Sequence, residues 1–327
     1  MQVSFIVPLF NGLAYTQDCL RTLRATLPAG LAHEIVFVDD GSTDGTRTWL
    51  ATLGAPCRVV LNEKNLGFAG ACNRGAAAAR GEFLFFLNND LVLPPGWFAP
   101  MFRALRRLPR AGLVGNVQRH ATTGALDHAG IRFDAKAKPE HDTARPWLWR
   151  LAGFRPVPAV TGACLAVRRA VWERLGAFDP AFRNGGEDVD LAFRARAAGF
   201  RNYVVLRSVV RHHVSVSVGR KLNDERNSHL LMQRWLEATV SLAAPAWSRR
   251  YLEAHWDEPR DFHAPLARQA FFQCLFPALA PGDLVQLGVR HAIRHEFERW
   301  RLLLAGGGEA TTPAFPRGPR EPRAAVL

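Results

Sequence analysis

The chain has 327 residues, 48% of them hydrophobic and 22% charged, a balance typical of globular proteins that excludes wholesale disorder. No stretch approaches the roughly 18 consecutive apolar residues of a membrane span. The formal net charge is +13, and only four of the 42 basic residues are lysines. Such an arginine excess favours partners with phosphates, namely nucleotides, nucleic acid or an anionic membrane, but it also arises from codon usage in a GC-rich genome.

The N-terminus runs directly into the apolar segment Val3–Val7, without a basic region or a small-residue cleavage site. We therefore expect no signal peptide and a cytoplasmic protein. The five cysteines are scattered and form no C-x-x-C pair, which argues against a disulfide framework or a zinc site and fits a reducing compartment.

The first 90 residues alternate apolar strands with helices. The predicted strands are Val3–Pro8, Glu34–Val38, Cys57–Leu61 and Glu82–Leu87, and the predicted helices are Tyr15–Leu27, Thr46–Leu53 and Phe68–Ala79. Continuous apolar strands separated by helices indicate a parallel sheet that is covered on both faces. Ligands bind at the carboxyl ends of such strands, so the loops after these strands are the candidate site.

The pattern weakens between residues 116 and 158, where we expect long loops, with one hairpin as an alternative. Regular signals then return: strands at Ala159–Val167 and Tyr203–Leu206, and helices at Arg169–Leu175, Glu187–Ala198, Leu222–Leu242, Pro265–Phe276 and Pro281–Leu304. Residues 306–327 are rich in Gly, Pro, Arg and Thr, which predicts a disordered tail.

Two carboxylates close the second strand in the run Asp39-Asp40-Gly41-Ser42, after the opening run Val7-Pro8-Leu9-Phe10-Asn11. These and two later motifs, in the same order, resemble the family 2 glycosyltransferases over about residues 1–220. The resemblance implies an α/β fold of the GT-A type, a nucleotide-sugar-binding fold with a mostly parallel central sheet flanked by helices. The predicted domains are thus the catalytic domain 1–220, a helical C-terminal extension 221–305 and the tail.

The resemblance also implies a set of residues that bind the nucleotide sugar. The opening loop lies beneath the base, the second Asp reaches the base or ribose, and a glycine of the strand near residue 162 lines the sugar pocket. Capping of the next helix is the alternative for the two carboxylates. The residues concerned are Pro8, Phe10, Asn11, Asp40, Gly67, Asn73, Asn88, Asn89, Gly162 and Glu187.

Leu87-Asn88-Asn89-Asp90 stands where the family carries an Asp-x-Asp motif, whose carboxylates hold a divalent metal against the diphosphate. Here the first position is Asn88, which offers only a neutral carbonyl oxygen, whereas Asp90 keeps an anionic oxygen. Since Mg²⁺ is commonly held by one or two carboxylates plus phosphates and waters, one carboxylate is chemically adequate. The resemblance therefore implies Mg²⁺ or Mn²⁺ as cofactor.

Gly185-Gly186-Glu187-Asp188-Val189-Asp190 opens a helix and resembles the family's Glu-Asp motif, which makes Asp188 the catalytic base. For Glu187 and Asp190 the alternative is a favourable interaction with the helix dipole. Downstream, the resemblance places a His at the metal or diphosphate; spacing favours His212, with His213 as the alternative. Asp179 is interpreted as a turn residue.

These motifs predict an inverting glycosyltransferase that uses a nucleoside-diphosphate sugar, since a carboxylate base and a metal suffice for in-line displacement. The motifs look most like bacterial rhamnosyltransferase-type members that build cell-surface polysaccharides on lipid carriers. The donor is then dTDP-rhamnose or a UDP-sugar, and the acceptor a glycan or a polyprenyl-linked sugar. The alternative is a catalytically inactive subunit that binds sugar nucleotides, for which Asn88 is the only support.

Two further expectations concern partners. The sequence shows no helix-turn-helix, zinc site or basic-aromatic repeat, so we expect no nucleic-acid partner. The last predicted helix carries Arg290, Arg294, Arg299 and Arg301, which either lie solvated on a packed helical layer or dock on the anionic inner face of the plasma membrane.

Overall fold

The computed structural model describes residues 1–143, 153–213, 220–255 and 263–306. The strands are β1 (Val3–Leu9), β2 (His33–Asp39), β3 (Cys57–Leu61), β4 (Phe83–Leu87), β5 (Leu91–Val92), β6 (Ala111–His120), β7 (Leu126–His128), β8 (Ile131–Phe133), β9 (Pro139–His141), β10 (Phe154–Val157), β11 (Cys164–Arg168) and β12 (Arg201–His212). The helices are α1 (Leu13–Thr26), α2 (Thr46–Leu50), α3 (Gly67–Ala78), α4 (Phe98–Arg107), α5 (Arg169–Leu175), α6 (Glu187–Ala197), α7 (Arg220–His255), α8 (Ala264–Leu275) and α9 (Asp283–Gly306).

The main sheet has the order β10-β12-β6-β11-β4-β1-β2-β3, with β5 beside β12 and β7 beside β6. Strands β4, β1, β2 and β3 are parallel, as the apolar runs predict, and β12 is parallel to β6. Strand β11 runs antiparallel between β4 and β6. The predicted α/β architecture with a helical C-terminal part is confirmed, and the antiparallel strands bring β12 beside the carboxyl end of the parallel half.

The region 116–158 departs from the expected loops. The ten-residue strand β6 runs into it, and the hairpin that the sequence left as an alternative is formed by β8 and β9. Residues 144–152 lie outside the described ones. Helix α4 and strand β5 were not predicted, and β12 is longer at both ends than the predicted strand.

Glycine at position 75 allows α3 to lie directly on the sheet. A Cβ there would lie 2.5 Å from Ile6 Cγ2 and 2.8 Å from Val38 Cγ2, inside their van der Waals radii. We expect Gly75→Ala to lower the free energy of unfolding by about 1–3 kcal/mol, the usual cost of overpacking. Urea denaturation measures this effect, with Gly54→Ala as the control, because nothing lies within 4 Å of a Cβ at Gly54. Equal midpoints for the two variants would contradict the close-packing role.

The chain divides into two compact units: Met1–Ile131 with His141–Asn227, and Arg132–Glu140 with Ser228–Leu327. The division falls inside α7, while the predicted boundary at residue 220 stays a prediction. Of the predicted tail 306–327, all but residue 306 lies outside the described residues. No helix in the described ranges is long and apolar enough to cross a membrane.

Within the second unit, most of the arginines of the last helix that were candidates for membrane contact form ion pairs instead. Arg299 is buried and pairs with Glu296 at 2.8 Å, and the same carboxylate receives Lys136 and Lys138 at 3.1 and 3.3 Å. The prediction of a lipid-facing role is therefore wrong for Arg299. Arg290 and Arg301 also pair with glutamates, at positions 237 and 298.

Candidate active site

Side-chain hydrogen bonds join the loops after β1 and β2. The backbone N–H of Asn11 donates to Ser42 Oγ, and the N–H of Thr43 donates to Asn11 Oδ1, both at 2.7 Å. Pro8 lies buried within β1, whereas Phe10 is 54% exposed. The predicted nucleotide loop thus has a braced backbone and presents one exposed aromatic ring at the carboxyl end of the sheet.

The carboxylate of Asp40 closes the N-terminus of α3. It accepts hydrogen bonds from Asn62 Nδ2 at 2.7 Å and from the backbone amides of Leu66 and Gly67 at 2.9 Å each. The alternative from the sequence was capping of the next helix, α2, but the helix that Asp40 caps is α3. A direct contact of Asp40 with the base or ribose stays a prediction.

Asp39, by contrast, serves its own loop and α2. Its buried carboxylate accepts hydrogen bonds from the amides of Gly41 and Ser42 at 3.3 Å and from Arg47 Nε at 2.6 Å. This arrangement holds the turn after β2 in place.

Helix α3 is tied to the segment before α6. The Asn73 amide makes two hydrogen bonds with the backbone of Phe178, at 2.8 and 3.0 Å. The N–H of Phe68 donates to Asn184 Oδ1 at 3.0 Å. Asp179 accepts a turn hydrogen bond from the amide two residues later, in keeping with its interpretation. Asn73 therefore positions this segment, and its contact with a donor stays a prediction.

Asp90, Asn88 and His212 meet where β5 pairs with the end of β12. Asp90 Oδ1 lies 3.1 Å from His212 Nε2, and Asn88 Nδ2 lies 3.4 Å from the same nitrogen. The pairing of Leu91 with His212 brings these side chains together across the two strands. The structure thus assembles the two residues that the sequence predicted as metal ligands.

The neighbours of this pair have positioning contacts. Asn89 Nδ2 donates to Thr16 Oγ1 at 2.9 Å and to the carbonyl of Asn11 at 3.3 Å, which ties the motif to α1 and the first loop. The ring of His213 lies against Tyr15, with centroids 5.1 Å apart. Of the two candidate histidines, it is therefore His212 that lies beside the Asp90 carboxylate.

The donor set at Asp90 fits a divalent cation. Asp90 Oδ1 is buried and has no hydrogen-bond partner among the described residues, so its nearness to His212 Nε2 is not an aligned hydrogen bond. Two ligands about 2.1 Å from one ion and at right angles to each other are about 3.0 Å apart, close to the 3.1 Å seen here. Rotating the Asn88 amide would add a carbonyl oxygen.

The protein supplies only part of such a coordination shell. In the described part of the chain, no three His, Cys, Asp or Glu residues come together as a metal cluster. Phosphate oxygens and waters commonly complete the shell of Mg²⁺ in nucleotide sites. The arrangement therefore fits a metal that binds together with a diphosphate.

Asp188 lies at the start of α6 and contacts the turn that immediately precedes β11. Its Oδ2 accepts the N–H of Gly162 at 2.7 Å, and its Oδ1 accepts the N–H of Val189 at 2.8 Å. Burial raises the pKa of the Asp188 carboxyl above its usual value, against the opposing effect of these two amides. A Cβ at Gly162 would lie 3.0 Å from the Phe68 ring, so a larger residue would disturb this contact.

Two hydrogen bonds link the base candidate to the metal candidate. The N–H of Asn88 donates to the carbonyl of Ala163 at 2.9 Å, and the adjacent Gly162 donates to Asp188. Asn88 is two residues from Asp90. The backbone N–H of Gly162 and the carbonyl of Ala163 therefore hold the Glu-Asp motif and the Asn88–Asp90 motif side by side.

The other acids of α6 have local partners. Glu187 is buried and accepts the N–H of Gly185 at 2.7 Å, and Asp190 pairs with Arg194 at 2.8 Å. All three acids lie in the first turn of α6, where the helix dipole favours negative charge. A contact of Glu187 with the donor stays a prediction.

Sequence reasoning missed a second histidine–carboxylate pair near the site. His141 Nδ1 lies 3.6 Å from Asp127 Oδ2, and the ring of buried His128 lies 4.8 Å from the ring of His141. Burial lowers the pKa of His141, but Asp127 and Asp188 outweigh this effect and raise it. No motif marks the pair, because its members come from β7 and β9 in the region that the sequence presented as loops.

The pH dependence of transfer tests this coupling. Because the pKa of Asp188 is raised, its carboxylate takes up a proton at a higher pH than an ordinary Asp does, and charged His141 opposes that shift. We expect His141→Gln to raise the pKa of Asp188 further and so to move the acid limb of the kcat/KM profile to higher pH. His33→Gln, at the start of β2, is the control. An acid limb that stays in place in His141→Gln would contradict the coupling.

Comparison with known proteins places the chain in a family. Residues 4–176 match the model of glycosyl transferase family 2. The O-antigen biosynthesis protein RfbC of Myxococcus xanthus is 32% identical over 66% of this chain, which spans 18% of that protein. An N-acetylglucosaminyl-diphospho-decaprenol L-rhamnosyltransferase of Mycobacterium tuberculosis is 29% identical over 57% of the chain and 68% of its own length.

Several of these relatives are longer proteins. The chain spans 29% of the length of the uncharacterized protein y4gI of Sinorhizobium fredii, to which it is 27% identical over 74% of its own length. Together with the 18% of RfbC, this shows that the matched region is one part of several larger relatives.

Solved structures share the fold. GalNAc-T7 with UDP, GalNAc and Mn²⁺ has a TM-score of 0.63 at 18% identity, over 82% of this chain and 54% of that one. The mannosyltransferase PcManGT of Pyrobaculum calidifontis in complex with GDP-Man and Mn²⁺ has a TM-score of 0.55 at 19% identity, over 94% and 88%. The sequence match covers more than half of the chain, the motifs lie together in one site, and the fold is that of glycosyltransferases: the chain belongs to glycosyl transferase family 2.

Proposed function

We propose that this chain is an inverting glycosyltransferase that moves a sugar from a nucleoside diphosphate to a hydroxyl group of a glycan or lipid-linked acceptor. The supporting observation is the bridge through residues 162 and 163, which holds Asp188 beside the Asn88–Asp90 motif. A base and a phosphate-side metal site are the two groups that such a displacement requires.

Asp188 accepts the proton of the attacking hydroxyl. A sugar hydroxyl is a weak nucleophile at neutral pH, so a carboxylate must take its proton as the bond to the anomeric carbon forms. The raised pKa of Asp188 makes it a stronger base than an exposed Asp while leaving it ionised once the pH exceeds that pKa. Direct attack by the acceptor inverts the anomeric carbon, and the proposal includes no covalent nucleophile.

Asp90 and His212 would hold a divalent cation, Mg²⁺ or Mn²⁺, with Asn88 as a further oxygen ligand. The bound cation stabilises the negative charge on the departing diphosphate. Asp40, through its hold on the α3 N-terminus, fixes the amides that border the donor loop. Phe10 offers an exposed ring on which a nucleotide base can stack.

The names of two relatives support a proposal for the donor and the pathway. The Mycobacterium tuberculosis relative is named as a rhamnosyltransferase that acts on a decaprenol-linked sugar, and the Myxococcus xanthus relative as an O-antigen biosynthesis protein. We therefore propose a dTDP- or UDP-sugar donor, with rhamnose as the first sugar to test, and a role in bacterial cell-surface polysaccharide assembly. The chain would work in the cytoplasm, at the inner face of the plasma membrane.

A catalytically inactive subunit that binds sugar nucleotides is the second candidate, because Asn88 replaces a carboxylate. Release of nucleoside diphosphate from a panel of sugar nucleotides, with Mn²⁺ and a lipid-linked acceptor, separates the two. A true donor at 100 times its dissociation constant should also stabilise the fold by about 2.7 kcal/mol in a thermal-shift assay. Stabilisation without transfer or hydrolysis for any donor would favour the inactive subunit.

A further inference from the structure

The end of α8 and the turn after it expose a group of large apolar side chains. Each is between 48% and 59% exposed, and we call the group the α8 apolar patch. Its members are Phe271, Phe272, Leu275, Phe276 and Leu279. Single exposed apolar residues are ordinary on a protein surface, but a contiguous group that includes three aromatic rings marks an interaction surface.

The spacing of the patch places it on one side of the helix. Residues 271, 272, 275 and 276 recur at intervals of one, four and five, and the rings of Phe272 and Phe276 lie 4.8 Å apart. The other side of α8 is packed inside its own unit through Leu266, Ala267 and Ala270, which are buried. The patch is therefore a second apolar face that the described part of its unit leaves uncovered.

The charge that α8 itself contributes near the patch is positive. Between residues 263 and 282, Arg268 is the sole Asp, Glu, Lys or Arg, and it is exposed one turn before Phe272 on the same face. From α7, Arg249 and Glu253 act on Cys274, where burial raises the thiol pKa, Arg249 lowers it and Glu253 raises it. The neighbouring helix thus adds one charge of each sign.

We propose that the α8 apolar patch docks on an anionic lipid membrane, with its rings in the interfacial layer and Arg268 at the lipid phosphates. Helices with an exposed aromatic and aliphatic face and basic flanks bind in this manner, parallel to the surface. A second copy of the chain would offer Arg268 no carboxylate from α8 or from the turn after it. An anionic lipid surface, by contrast, offers it many phosphate groups.

This docking deepens the proposed function, since a lipid-linked acceptor is presented at such a surface. It uses a different surface from the four arginines of the last helix, whose docking was one of two alternatives from the sequence. The two proposals fail independently. Vesicle binding is measured without a donor or a metal. Sugar transfer to a soluble acceptor, measured by the release of nucleoside diphosphate, is measured without a membrane.

Co-sedimentation of the full chain with vesicles at physiological salt tests the docking. We expect binding to phosphatidylcholine vesicles that contain phosphatidylglycerol, and weaker binding to pure phosphatidylcholine. The triple variant Phe271→Ser, Phe272→Ser, Leu275→Ser should lower the partition coefficient by about tenfold or more. In the native chain, the exposed half of each of these apolar side chains is removed from water on binding, and the variant loses this contribution. Arg268→Gln should lower the preference for anionic vesicles and keep the binding to neutral ones.

Leu61→Ser is the matched control, since Leu61 on β3 in the first unit is 51% exposed and should not change vesicle binding. Urea denaturation checks that the triple variant is folded. Equal binding by the triple variant and the native chain overturns the proposal. So does a native chain that binds neither vesicle but forms a concentration-dependent dimer that the triple variant loses, which would assign the patch to a second copy.

Discussion

Asp188→Asn is expected to lower the turnover of sugar transfer by about 10²–10⁴-fold, the usual contribution of a positioned general base. The amide keeps an oxygen for the N–H of Gly162, and the site keeps its shape, but it no longer accepts a proton. Because the change removes proton transfer rather than donor contacts, the donor dissociation constant should stay nearly the same. Rapid-quench measurement of product formation together with calorimetric titration of the donor separates the two quantities.

Asp179→Asn is the matched control for this variant. Asp179 lies in the same unit, and the amide oxygen of Asn can also accept its turn hydrogen bond from Ala181, so turnover should be near that of the native chain. Near-native turnover in Asp188→Asn would remove Asp188 from the role of base. A large loss of donor affinity with unchanged turnover would instead make it a binding residue.

The parallel half of the sheet could be predicted from the sequence because its physics is local. Strands β1 and β4 are continuous apolar runs buried on both faces, and each lies within two residues of the predicted bounds. The glycine and alanine run of α3 likewise predicts a helix that packs closely on the sheet, and Gly75 is the point of contact.

Strand β6 escaped prediction because polar residues lie in its buried part. Asn116 and Gln118 are fully buried, and Asn116 Nδ2 donates to Ser208 Oγ of β12 at 3.3 Å. The sequence shows that Asn116 is polar, but it does not show that the partner of Asn116 lies 92 positions away. A strand that buries polar side chains, one of them against a distant residue, therefore has the sequence pattern of a loop.

The same limit applies to charges. Arg299 looks like a solvated residue of an amphipathic helix, yet it is buried and pairs with Glu296, whose carboxylate also receives two lysines of the β8–β9 hairpin. The pairing of Asp127 with His141 is equally invisible, since strands β7 and β9 set it. Motifs in the sequence identify candidate residues near the strand ends, whereas side-chain pairs between different elements are seen only in the folded structure.

The effect of Asp90→Ala on metal-dependent donor binding should be large. Asp90 brings the carboxylate of the pair with His212, and even the loss of an outer partner of a metal ligand typically costs about 10–100-fold in affinity. We expect a loss of at least that size in Asp90→Ala, and a smaller one in Asn88→Ala, because a neutral amide is the weaker ligand. Titration of Mn²⁺ into the chain with a saturating donor measures both.

Asn88→Asp provides the opposite test of the same site. A second carboxylate beside Asp90 adds anionic charge to the donor set, so the affinity for Mn²⁺ should rise, as it does generally with the charge of oxygen ligands. Without a metal, the two carboxylates would repel each other, and the variant should lose stability when EDTA is present and regain it when Mn²⁺ is added. The thermal midpoint with and without Mn²⁺ gives this readout without any transfer assay. Should EDTA leave donor binding and transfer by the native chain unchanged, and should Asn88→Asp gain no Mn²⁺ affinity, the pair of Asp90 and His212 would not be a metal site.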